Sequence, residues 1–127
     1  MNDFYYRKLD AYQLAKTLAL EIYKLVNTFP ERERYGMCDQ LRRSAISIPS
    51  NIAEGTGRFS IKERIHFLNI SYGSLCETMC QMEIAKDLGY ISQEAYSETE
   101  DLASRVSMTI SGLKKSLSNK LNTFNPE

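Results

Sequence analysis

Residues 41–58, LRRSAISIPSNIAEGTGR, hold an apolar repeat of helical period with residues set inside it that an ordinary helical core does not call for. Met37, Leu41, Ala45, Ile48 and Ile52 recur at steps of four, four, three and four, which keeps them on one stripe of a helix spanning roughly Tyr35 to Glu54. Among them stand Ser44, Ser47, Pro49, Ser50, Asn51 and Glu54. A proline in a helix interior lacks the N–H donor and presses on the carbonyl four residues earlier, at a cost of about 3 kcal/mol. A helix that keeps Pro49 therefore needs tertiary or subunit packing to offset the loss, and a kink is expected there, with Ser44, Ser47 or Ser50 serving the freed backbone groups. Asn51 and Glu54 read as structural polar groups that bond backbone or hold a neighbouring arginine. Gly55 reads as the residue that stops the helix in the left-handed conformation.

The same helix has a second face. At about 100° per residue, Ile46 and Ala53 point away from the main stripe, with Ser47 and Ser50 between them. A helix that is small and apolar on both sides packs on its own bundle with one and on another subunit with the other. A homo-oligomer is expected, with Ile46, Ser47, Ser50 and Ala53 at the interface.

Outward from this segment the chain reads as helix throughout. The first helix runs from about Asp10 to Thr28, with Tyr12, Ala15, Ala19, Ile22, Val26 and Phe29 on one stripe; Pro30 stops it and a charged linker, PERERYG, follows. The third begins after Ser60, whose partner Glu63 completes a capping box, and carries Ile61, Ile65, Leu68, Tyr72, Leu75, Met79 and Met82 in heptad register until Gly89. Phe67, Ile70 and Ile84 lie off that seam, either widening the core stripe or forming a second face. The fourth starts near Ser92 with Glu94 and carries Ala95, Leu102, Val106, Ile110, Leu113 and Leu117, with Lys114, Lys115 and Lys120 at its far end. Strand signals are missing. The expectation is an all-α, up-down-up-down antiparallel four-helix bundle with a proline-containing second helix. It forms a single domain over residues 1–127, with 1–8 and 118–127 as flexible termini.

The chain has 127 residues, sixteen basic and sixteen acidic, so the field of a strongly basic nucleic-acid binder is absent. Cys38, Cys76 and Cys80 lack disulfide spacing and read as free buried thiols, with a cytoplasmic location and no membrane span expected. No metal is expected, because Cys76 and Cys80, one turn apart, have only His66, ten residues away, as company. No cofactor is expected either: Gly55-Thr56-Gly57-Arg58 lacks the lysine of a phosphate loop and follows a helix. No nucleophile with a base and no paired carboxylates stand out, so an enzyme is not expected. One local feature points to RNA or DNA: Arg42, Arg43, Arg58, Lys62 and Arg64 share a 23-residue window with only Glu54 and Glu63 as acids. On one surface these would contact phosphates. Paired to acids, they are a salt-bridged face. The N-terminal FYYRK is a candidate clasp on a neighbouring subunit.

Two runs, QLRRSAISIPSNIAEGTGR and FLNISYGSLCETMCQMEIAKDLGYI, strongly resemble the 23S rRNA intervening-sequence protein family, also called the four-helix-bundle protein family, over about Leu9 to Leu117. The resemblance implies a four-helix bundle assembled as a ring-like homopentamer. The family name records where such genes lie and names no reaction. A related branch, the accessory variability proteins of diversity-generating retroelements, is a basic pentameric barrel that binds nucleic acid and a reverse transcriptase; the balanced charge here departs from it. The function expected is a non-enzymatic oligomeric scaffold displaying a basic patch to RNA, DNA or a nucleic-acid-processing partner. The alternative is a protein-protein interaction module that binds no nucleic acid.

Overall fold

Pro49 does not break its helix. The computed structural model, which describes residues 3–124, has four helices: α1 (Asp10–Val26), α2 (Met37–Thr56), α3 (Ile61–Asp87) and α4 (Gln93–Phe124). Short 3₁₀ turns at Tyr5–Lys8 and Glu31–Glu33 precede α1 and α2, and there is no strand among the described residues. Sequence neighbours adjoin in space, and α4 closes back on α1. Antiparallel pairing of α2 with α3 is fixed by bonds whose numbers rise on one helix and fall on the other: Ser44 with Thr78, Ser47 with Ser74, and the Ile48 carbonyl with Ser71. Residues 118–124, expected in the C-terminal tail, continue α4, and residues 5–8 form a turn; residues 1–2 and 125–127 lie outside the described residues.

Helix ends follow local chemistry. The Ser60 hydroxyl accepts from the Glu63 N–H at 3.0 Å, and the Ser92 hydroxyl from the Ala95 N–H at 3.0 Å, so the starts of α3 and α4 are capped as their sequences suggest. Gly89, at φ 83°, ends α3 with bonds from its own N–H to Lys86 and from the Tyr90 N–H to Ala85, the six-to-one and five-to-two pattern that the left-handed residue makes possible. The ring of Tyr90 then lies 5.4 Å from that of Phe29, and its hydroxyl donates to Glu33 at 2.8 Å, tying the α3–α4 connection to the α1–α2 connection.

Gly55 acts differently from expectation. It has no positive φ and lies buried inside α2, which continues to Thr56 and is capped by Gly57. A Cβ on Gly55 would stand 3.1 Å from Phe67 Cβ and 3.5 Å from the Arg64 carbonyl. The residue is small because α3 passes close by.

The core joins Ala15, Leu18 and Ile22 of α1, Leu41, Ala45, Ile48 and Ile52 of α2, Leu68, Leu75 and Met82 of α3, and Val106 and Ile110 of α4. The α2 stripe is as read. On α3 the buried face is shifted: Ser71 and Thr78 are fully buried, while Tyr72 is exposed and Met79 half-buried. The reason is a seam of small hydroxyls facing α2. Thr78 Oγ1 lies 2.8 Å from Ser44 Oγ and 2.8 Å from the Ser74 carbonyl, Ser47 and Ser74 hydroxyls are 2.8 Å apart, and Ser71 donates to the Ile48 carbonyl at 2.8 Å. Gln81 donates to Gln40 at one end of the seam. Among the described residues no buried side-chain nitrogen or oxygen lacks a partner, which removes the cost of about 1–3 kcal/mol that each unpaired group would impose.

Ser44 and Ser47 of α2 thus serve α3. Ser44 donates to the Leu41 carbonyl, not to the Ala45 carbonyl that Pro49 deprives of a donor, and Ser50 is exposed. Asn51 Nδ2 donates to both the carbonyl and the hydroxyl of Ser47 at 2.8 Å, anchoring the seam just before Pro49.

Candidate functional site

Along the outside of α1 and α2 runs a groove of about 600 Å³. From α2 it takes Ile46, Pro49, Ser50 and Ala53, and from α1 Tyr12, Lys16, Ala19, Leu20 and Tyr23; Tyr6 closes one end. Positions 46, 50 and 53 share a helix face by their spacing, as do 12, 16, 20 and 23. Leu20 is 59% exposed, Ile46 50% and Tyr23 38%. The Tyr6 ring meets Tyr12 edge-on at 4.6 Å, and Lys16 lies 5.7 Å from the Tyr12 ring, so even the charged member covers an aromatic face. Three of the four residues read as an interface, Ile46, Ser50 and Ala53, meet here. Ser47 does not: it faces Ser74 within the chain. The α1 half of the groove was missed, although Tyr12, Lys16, Leu20 and Tyr23 recur at four, four and three.

The five basic residues do not form one surface. At about 1.5 Å of rise per residue, Arg42 and Arg43 sit roughly 20 Å up α2 from its end. Arg42 pairs with Asp39 at 3.3 Å and Arg43 is exposed. Arg58, Lys62 and Arg64 gather at the α2–α3 turn. There Arg58 is bound to Glu54 at 2.6 Å, lies 3.9 Å from Glu63 and covers the Phe67 ring at 4.5 Å, while Arg64 Nε donates to the Arg58 carbonyl at 2.8 Å. Glu54 therefore holds a neighbouring arginine, one of the roles its position suggested. Lys62 and Arg43 have no ion-pair partner among the described residues.

Chemically reactive groups are scattered. Cys38 is buried, and burial pushes its thiol up from the ordinary value; Cys76 and Cys80 are exposed, contrary to expectation, because they lie across α3 from the Ser71–Thr78 face. All three thiols are free. The hydrogen bond to Glu33, with burial, raises the Tyr90 phenol, and burial raises Tyr96. His66 stands edge-on to Phe67 at 5.7 Å. Among the described residues no three His, Cys, Asp or Glu side chains come together to hold a metal ion, and no helix is long and apolar enough to cross a membrane.

No curated protein matches the sequence significantly. Among solved structures, a protein of unknown function from the S23 ribosomal protein family of Bacteroides thetaiotaomicron is similar, with a TM-score of 0.74 and 27% identity over 83% of this chain and 98% of that one. The family model for the 23S rRNA-intervening sequence protein matches residues 7–112, which contain α1, α2, α3 and most of α4, and the chain belongs to that family.

Proposed function

We propose that this protein is a non-enzymatic scaffold built from several copies of itself, the copies meeting through the α1–α2 groove. The observation that carries this reading is an apolar groove left open on a bundle whose core is already closed. Leu20, Tyr23 and Ile46 cost about 25 cal/mol for each Å² of apolar surface they leave in water, and a contiguous patch of this kind marks an interface. Ser50 and Ala53 are small enough for a second helix to approach closely. A homopentameric ring is the assembly that the family resemblance implies. Three free cysteines, two of them exposed, suit the reducing cytoplasm.

A second reading, contact with RNA or DNA, is favoured by Arg43 and Lys62, exposed and free of carboxylates, which a ring would repeat about its axis. Pairing of Arg42 and Arg58 to acids favours a module that binds protein alone. Native mass, measured for the protein alone and with mixed nucleic acid at low salt, tests both. The expected result is one discrete oligomer; a monomer at micromolar concentration overturns the scaffold. A nucleic-acid complex that weakens steeply with salt and on Arg43→Ala or Lys62→Ala establishes the second reading, and no complex at low salt removes it.

A further inference from the structure

At the end of the bundle where the Tyr5–Lys8 turn, the last turn of α2, the start of α3 and the end of α4 converge, a cleft opens above the closed core. Buried Ile52 and Leu68 floor this cleft of about 390 Å³, and half-buried Leu113 and Leu117 wall it. Among the described residues its charged lining is Arg64 and Lys120, both cationic. Arg64 is half-buried and held by the bond from its Nε to the Arg58 carbonyl, which fixes the guanidinium and leaves its terminal nitrogens free of any carboxylate among the described residues. Lys120 likewise has no ion pair among the described residues.

An apolar floor beneath two unneutralised cations, in a chain of zero net charge, selects a ligand with an apolar tail and one anionic head. The tail removes the half-exposed Leu113 and Leu117 from water, and the head gains charge-assisted hydrogen bonds. The cleft falls within the roughly 300–1,000 Å³ of small-molecule sites. We propose that it binds a free medium-chain monocarboxylate, tail on Ile52 and Leu68, carboxylate between Arg64 and Lys120. None of its lining residues belongs to the α1–α2 groove, so the site stands or falls separately from self-assembly.

Calorimetric titration of the full-length protein with decanoate, kept below its micelle-forming concentration, tests this. Saturable binding of one decanoate per chain is expected, weakened roughly fivefold or more by Lys120→Gln, lost in Ser116→Phe, which fills the cleft from its exposed wall, and much weaker for decanol. Both variants alter exposed positions, and circular dichroism checks that they fold. Absence of saturable binding at millimolar decanoate, equal affinity for decanol, or affinity unchanged in both variants overturns the proposal.

Discussion

Two glycines show how a single missing Cβ acts through what surrounds it. Gly55 and Gly73 both lie inside helices, where alanine is favoured by up to about 1 kcal/mol. At Gly73 an added Cβ meets nothing within 4 Å, so Gly73→Ala raises stability by up to about 1 kcal/mol in urea unfolding. At Gly55 the Cβ meets the Phe67 Cβ at 3.1 Å, an atom fixed to the α3 backbone, so α3 must move. Overpacking of this kind costs about 1–3 kcal/mol, and Gly55→Ala lowers stability by about 1 kcal/mol in the same assay. The sequence marked Gly55 as special and misjudged the cause, because a glycine before a turn looks alike whether it ends a helix or admits a neighbour. At Cys38, Tyr90 and Tyr96 the folded chain holds the proton more tightly than the unfolded chain does. Their contribution is complete below the unfolded values, about 8.5 for cysteine and 10 for tyrosine, and is lost as pH rises through the raised folded values. The melting temperature therefore falls on the alkaline side, and Tyr90→Phe with Tyr96→Phe makes that fall shallower in thermal melts across pH.

Between α2 and α3 the hydroxyl seam sets the pairing. Periodicity identified α1 and α2 through Ala15, Ile22, Leu41 and Ile48, because their core positions are apolar in the sequence as well as in the structure. On α3 it found Leu68, Leu75 and Met82 but missed the hydroxyl face: Tyr72 looks like a core residue and is exposed, whereas Ser71 and Thr78 do not and are buried. A hydroxyl becomes a core group only when its partner arrives from another helix, and Ser44, Ser47 and the Ile48 carbonyl are that partner. Ser71→Ala removes its bond to the Ile48 carbonyl and costs about 1 kcal/mol. Ser44→Ala and Thr78→Val act on one shared contact, so their combined cost falls short of the sum of the single costs by about 0.5 kcal/mol or more. Chemical denaturation of the four variants measures both. Fully additive costs at 44 and 78 would show that the hydroxyls act independently of each other.

Seen whole, the molecule closes its core with its own four helices and leaves an apolar groove on the α1–α2 side. The fold was legible because capping serines, Gly89 and four apolar stripes all report local geometry. The surface was legible only in part: Ile46, Ser50 and Ala53 share a helix face by spacing, whereas the partnership with Leu20 and Tyr23 depends on how α1 is rotated against α2. The basic window dispersed for a different reason: rise along α2 carries Arg42 and Arg58 to opposite ends of that helix. Ile46 is half exposed, so Ile46→Glu changes the stability of a lone bundle by no more than about 0.5 kcal/mol, yet it puts a charge into the shared groove. The direct measurement is molar mass by light scattering at micromolar concentration, for the native chain and Ile46→Glu side by side. The native chain runs as a discrete oligomer and the variant as a folded monomer; a monomeric native chain, or a variant that keeps the full oligomeric mass, contradicts assembly through this groove.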